Sequence, residues 1–280
     1  MRKAFALLLI AITLVGCGRK PDIPETKCLV FTTMNNHRVT TWVNDEPVLV
    51  CDNVWNGYNK PFWLTLRKGQ NKVHFTVDRL PSEITKVIGE HDPSNPNDGS
   101  TTVKIIKGGI FSPEDMIVWK TKADSEKSPY WTVHSDTAWR PSLEPYDPIT
   151  AINDGTKKEI QDCLNKIQKG LDSKDLSAIG FIESDVEFLM QEIGITCSVE
   201  KDIFGLKEYE AVVSPLTELN IVSGKKTIMV YRPDGEAVFY AGLPEVAERE
   251  SGKMYYHISG DALYFVKEDG KLKPLWIKEY

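Results

Sequence analysis

The chain has 280 residues, 41% of them hydrophobic, and a formal charge of −6. The charge is uneven: residues 17–150 hold 16 basic and 17 acidic side chains, whereas residues 151–280 hold 16 and 23. An acidic second half argues against a nucleic-acid partner and against electrostatic binding to anionic lipid, and the length suits two domains of ordinary size.

The first predicted element is a leader. Arg2 and Lys3 head an uncharged apolar run from Ala4 to Val15, and the small Gly16 stands before Cys17. These are the parts of a secretory signal peptide, and the run is shorter than the roughly 20 apolar residues that cross a bilayer as a helix. The residues Leu14-Val15-Gly16-Cys17 resemble the lipobox of bacterial lipoproteins. The resemblance implies removal of residues 1–16, thioether lipidation of Cys17 and acylation of the new amino terminus. In a Gram-negative host, Gly18 in the following position favours the outer membrane, with the chain facing the periplasm. Each buried methylene contributes about 0.8 kcal/mol, so several acyl chains on one residue make detachment negligible. Residues 17–27 then form the lipidated cysteine and a tether, polar and stiffened by Pro21 and Pro24.

Four further cysteines follow: Cys28, Cys51, Cys163 and Cys197. An even number in an exported chain points to disulfides. Two fall in each half, so Cys28–Cys51 and Cys163–Cys197 are the economical pairing, each bridge contributing roughly 3–4 kcal/mol. Neither a CxxC pair nor a histidine spaced beside a cysteine is present, so no metal site is expected.

Residues 28–149 read as an all-β domain. CLVFTTM, HRVTTWVN, PVLVC, FWLTL, KVHFTV, TVKII, MIVWKT and YWTVH succeed one another, and within HRVTTWV and KVHFTV apolar residues alternate with polar ones. Asp45-Glu46 is the expected turn before PVLVC. About seven strands over this length predict an antiparallel sandwich of immunoglobulin-like type. Within NVWNGYNKPFW, the residues Trp55, Tyr58, Phe62 and Trp63 are candidates for stacking on a sugar or anchoring a protein partner, against the plainer reading that some of them fill the core. GEHDPSNPNDG gathers Glu90, His91, Asp92 and Asp98, but Pro96 breaks the spacing of a calcium loop, and a solvated loop is the better reading.

Residues 150–280 read as an α+β domain. Ile160, Cys163, Leu164, Ile167 and Leu171 share one face of an amphipathic helix, with Thr156 and Glu159 as its expected capping box. A second helix is expected in SDVEFLMQEIG, followed by strands from ITCSV to KPLWIKE. Asp-Gly in YRPDGEA and in VKEDGKL predicts two hairpins. KIQKGLDSKDLSAI and ALYFVKEDGKLKPLWI resemble the opening helices and closing hairpin of the NTF2-like superfamily. That resemblance implies a bent sheet around a pocket, open to a small-molecule carrier or an enzyme. It assigns no catalytic pair, and His257 reads as a structural or solvated histidine.

No nucleophile elbow, metalloprotease motif, phosphate loop or dinucleotide fingerprint occurs, and no cofactor is implied. Two S-x-x-K matches, Ser198 with Lys201 and Ser223 with Lys226, fall at expected strand ends or turns rather than at a helix start. The leading expectation is a non-enzymatic, lipid-anchored envelope protein whose partner is an envelope protein or a glycan. An enzyme or carrier with a cone pocket, and a periplasmic inhibitor or immunity protein with an acidic mimic surface, are the alternatives.

Overall fold

The computed structural model describes residues 28–33, 37–51, 58–61, 66–79, 100–107, 114–136, 142–175, 198–234, 236–244, 257–260 and 262–275. Among these the fold is mostly antiparallel β-sheet with few helices.

In the first half, β1 (Cys28–Thr33), β4 (Tyr58–Pro61), β6 (Thr101–Lys107) and β7 (Glu114–Thr121) form one sheet in the order β4-β1-β6-β7. The other contains β2 (His37–Val43), β3 (Glu46–Cys51), β5 (Gly69–Arg79) and β8 (Ser125–Lys127) in the order β3-β2-β5-β8, with β9 (Trp131–Ser135) also paired to β5. The period-2 pattern decides which residues meet. Val39 and Val43 of β2 and Val73, Phe75 and Val77 of β5 are buried in one core with Val103 and Ile105 of β6 and Ile117 and Trp119 of β7. Phe75 joins the two layers, its ring 6.0 Å from that of Trp119 and nearly parallel to it. At one end the buried His37 Nδ1 lies 2.7 Å from Thr101 Oγ1, a polar tie between the sheets.

The β2–β3 turn differs by one residue from the sequence expectation. Asn44 (φ 55°) and Asp45 (φ 66°) are its left-handed central pair, as a type I′ turn requires, and Glu46 is the first residue of β3. Of the expected FWLTL strand only Leu66 is among the described residues, and KVHFTV lies within β5.

In the second half, α1 (Asp154–Ser173) carries the expected face: Ile160, Cys163, Leu164, Ile167 and Leu171 are all buried. Its cap is corrected. Asn153 is the N-cap, its side chain accepting from Thr156 N at 2.9 Å, so Thr156 lies inside the first turn. Glu159 turns outward from the expected capping box and accepts from Leu272 N at 2.8 Å.

The strands after α1 make two small sheets. β10 (Glu210–Val213), β13 (Phe239–Gly242) and β14 (His257–Gly260) form one; β11 (Asn220–Ser223), β12 (Thr227–Tyr231), β15 (Ala262–Glu268) and β16 (Lys271–Pro274) form the other. Asp269-Gly270 makes the expected β15–β16 hairpin, with φ of 50° and 77°. The second expected hairpin, in YRPDGEA, does not form: β12 and β13 lie in different sheets. The NTF2-like cone finds no support. The strands are divided into two sheets rather than one bent one, and Ile228, Met229, Phe265 and the helix side chains fill the interior. ITCSV lies largely outside the described residues, and Val199 begins a π-helical turn (Val199–Ile203). The expected helix SDVEFLMQEIG lies wholly outside them.

Helix α1 also deals with open strand edges. Gln168 accepts from Val213 N at 2.7 Å and donates to Ala211 O at 3.1 Å, so one side chain pairs with β10 as a neighbouring strand would. With Glu159 on β16, the helix satisfies an edge of each sheet.

Candidate functional site

Two places bring chemistry together. The first is the meeting of the two halves. The tight β2–β3 turn projects Asp45 and Glu46 onto the β11–β12 turn, some 180 residues later. Glu46, only 4% exposed, accepts from Lys226 N and Thr227 N at 3.0 Å each and from Thr227 Oγ1 at 2.7 Å. A buried carboxylate is tolerated when such donors replace its water. Gly224 makes the approach possible. A Cβ there would stand 2.7 Å from Pro47 Cδ and 2.9 Å from Asp45 O, and closer still to the Glu46 carboxylate.

Around this contact, Lys225 Nζ lies 2.6 Å from Asp45 Oδ2, the Arg38 guanidinium sits over the Tyr231 ring, and Tyr264 OH donates to Val48 O. The bond from Lys225, aided by Tyr130, holds the Asp45 carboxyl below its usual range against the opposing effect of burial. The connecting segment is stitched down as well. Lys226 Nζ donates to Leu143 O and Glu144 O, Asp147 pairs with Lys267, and Leu143 and Tyr146 pack on Val266 and Leu275.

The second place is the outer face of the β3-β2-β5 sheet beside this junction. Trp42 and His74 are direct cross-strand partners with rings 5.6 Å apart and nearly parallel. The Tyr130 ring stands 4.6 Å from the imidazole, tilted by 54°. His74 is 4% exposed and its Nδ1 has no hydrogen-bond partner. Burial, with the nearby Lys127 adding to it and Asp45 opposing, lowers its pKa to about 4, so the ring is neutral near pH 7. Tyr130, 49% exposed, donates to Asp45 Oδ1 and accepts from Lys127 Nζ, each at 3.0 Å. Trp42 Nε1 donates to Thr76 Oγ1 at 2.9 Å.

Arrangements that could suggest hydrolysis are structural. Thr101, His37 and Asp124 follow one another in hydroxyl, imidazole and carboxylate order, but Thr101 is fully buried, with no path for a substrate. Ser198 caps the π-helical turn by accepting from Lys201 N, and the Lys226 ammonium points to the connecting segment rather than to Ser223. Cys163 is a buried thiol, unbridged among the described residues and pushed up in pKa by its burial. Its expected partner Cys197 lies outside the described residues, as do Cys17, Trp55, Phe62, Trp63 and the loop from Gly89 to Gly99. Cys28 opens β1 in one sheet and Cys51 closes β3 in the other; Tyr58 begins β4, and His257 begins β14 opposite Gly242.

The sequence reading missed Glu46, Gly224, His74 and Tyr130. Only the alternation in KVHFTV hinted at His74, by placing it on an outward face. Among the described residues no cluster of metal-ligating side chains is found and no helix is long and apolar enough to cross a membrane. A small depression of about 50 Å³ lies at the start of α1, lined by Pro148, Asn153, Glu159 and Lys267 among others, and has room for little more than water. The chain matches no family model, no curated protein and no solved structure.

Proposed function

We propose that this chain is a lipid-anchored protein of the bacterial cell envelope, non-enzymatic, that holds a stiff two-part body on a short tether for an envelope protein or glycan to bind. The observation that carries this reading is Leu14-Val15-Gly16-Cys17 at the end of an uncharged run headed by Arg2 and Lys3. Residues 18–27 supply the tether. The junction at Glu46 supports the stiff body, because a reader of envelope geometry gains from losing little freedom on binding. Engagement of the Ser198, Lys226 and Thr101 side chains in structural bonds supports a binding role over a catalytic one.

For the first half, the two facing antiparallel sheets support a sandwich of the immunoglobulin-like kind in its broad sense. Its chain changes sheet after every one or two strands, more often than in the usual ABED/CFG arrangement.

The test is metabolic labelling. Cells given an alkyne fatty acid should label the wild-type chain, and Cys17→Ala should be unlabelled and shift from the membrane to the soluble fraction. A wild-type chain that takes up no label, with Cys17→Ala fractionating as wild type does, overturns the anchor. Crosslinking in intact envelopes should then recover a protein or glycan partner.

A further inference from the structure

We propose that Trp42, His74 and Tyr130 form a saccharide subsite on the outer face of the β3-β2-β5 sheet, opened when the Tyr130 side chain swings off the imidazole. This deepens the envelope-binding reading and rests on it for the choice of a glycan.

The orphaned Nδ1 is the first support. A buried ring nitrogen with no partner carries a desolvation cost that a ligand hydroxyl would remove. The ring neighbour nearest the solvent is a single side chain, Tyr130, 4.6 Å from the imidazole and 49% exposed. The backbone below Tyr130 is fixed, since Ser128 N donates to Phe75 O at 2.9 Å and Ser128 Oγ accepts from Phe75 N at 2.8 Å. Tyr130 itself is half exposed and held by surface contacts, so turning it aside breaks two hydrogen bonds in water and no core packing.

What lies beneath selects the ligand class. The imidazole surface that Tyr130 vacates, backed by the stacked Trp42 ring, offers an aromatic platform, His74 Nδ1 and Asp45 Oδ1 offer polar contacts, and Lys127 offers a donor. A pyranose ring has a CH face and hydroxyls that both donate and accept, and satisfies these groups together. An apolar side chain would stack but leave the nitrogen, and the Asp45 Oδ1 that Tyr130 had served, without a partner. The depressed pKa of His74 keeps the ring neutral near pH 7, with one nitrogen able to accept. Asp45 also binds Lys225 of the β11–β12 turn, so the subsite borders the junction that stiffens the molecule.

Calorimetric titration of the full chain in detergent micelles, with hexamers of N-acetylglucosamine, glucose and galacturonic acid, tests this. At least one hexamer should bind. His74→Phe, which keeps a ring and removes the nitrogen, should weaken it at least tenfold. Tyr130→Ala, at a half-exposed position that spares the fold, should change affinity at least threefold by removing the cover, while Lys120→Ala on the opposite sheet should not. If no hexamer binds, or if both site variants bind as wild type does, the subsite is overturned. A chain that binds none of the hexamers yet captures an envelope protein by crosslinking loses the subsite and keeps the envelope role. One that binds sugar yet takes up no fatty acid keeps the subsite and loses the anchor.

Discussion

The two halves bury their cores by different means. The first sets sheet against sheet, and alternation along β2, β5, β6 and β7 supplies both inner faces. The second has two small sheets whose interior is completed by α1, and it relies on side chains to finish its backbone hydrogen bonding: Gln168 at β10, Glu159 at β16 and Glu46 of the first half at the β11–β12 turn. The first half also uses side-chain acceptors, such as Ser128 Oγ for Phe75 N, but these lie within it, whereas Glu46 reaches the second half from outside. The second half is therefore the dependent partner, and the junction is part of its structure.

Substitutions should separate these dependencies. The largest effect is expected of Gly224→Ala, because the added carbon meets Pro47, the Asp45 carbonyl and the Glu46 carboxylate at distances that no side-chain rotation relieves. Loss of about 3 kcal/mol in denaturant unfolding is predicted, borne mainly by the second half. Gln168→Ala, which leaves Val213 N and Ala211 O without their helix partner, should cost about 2 kcal/mol and raise hydrogen exchange in β10 while leaving β2 and β5 unchanged.

On the first half's outer face, His74 makes stability depend on pH. Its folded pKa of about 4 lies below the unfolded value of about 6.5, so as pH falls the unfolded chain takes up the proton first. Stability should fall between about pH 6.5 and 4, by about 2 kcal/mol after allowance for the shallow site, and His74→Phe should flatten that part of the profile. The smallest effect is expected of Asn153→Ala, about 1 kcal/mol from loss of the α1 cap, measured as a lower melting temperature.

Local pattern was legible and partnership was not. Alternation located β2 and β5 of the first half, though β4 and β8 went unread, and the spacing from Ile160 to Leu171 located the buried helix face. Asp269-Gly270 and Asp234-Gly235 look alike in sequence, yet only the first joins neighbouring strands, because sheet assignment is settled by packing that a dipeptide does not contain. Thr156 and Glu159 fit a capping box, but Asn153 offers its carboxamide one turn earlier and β16 claims Glu159. Glu46 looked like a turn residue because its donors lie some 180 positions away. His74 looked like an ordinary outward residue because its cover, Tyr130, comes from another strand connection.

The stiffness of the two-part body is most directly measured by scanning calorimetry of the wild-type chain beside Glu46→Ala. A single cooperative transition for the wild type, split into two in the variant with the second half melting first, is the predicted result. Two separate transitions in the wild type, left in place by the substitution, would contradict it.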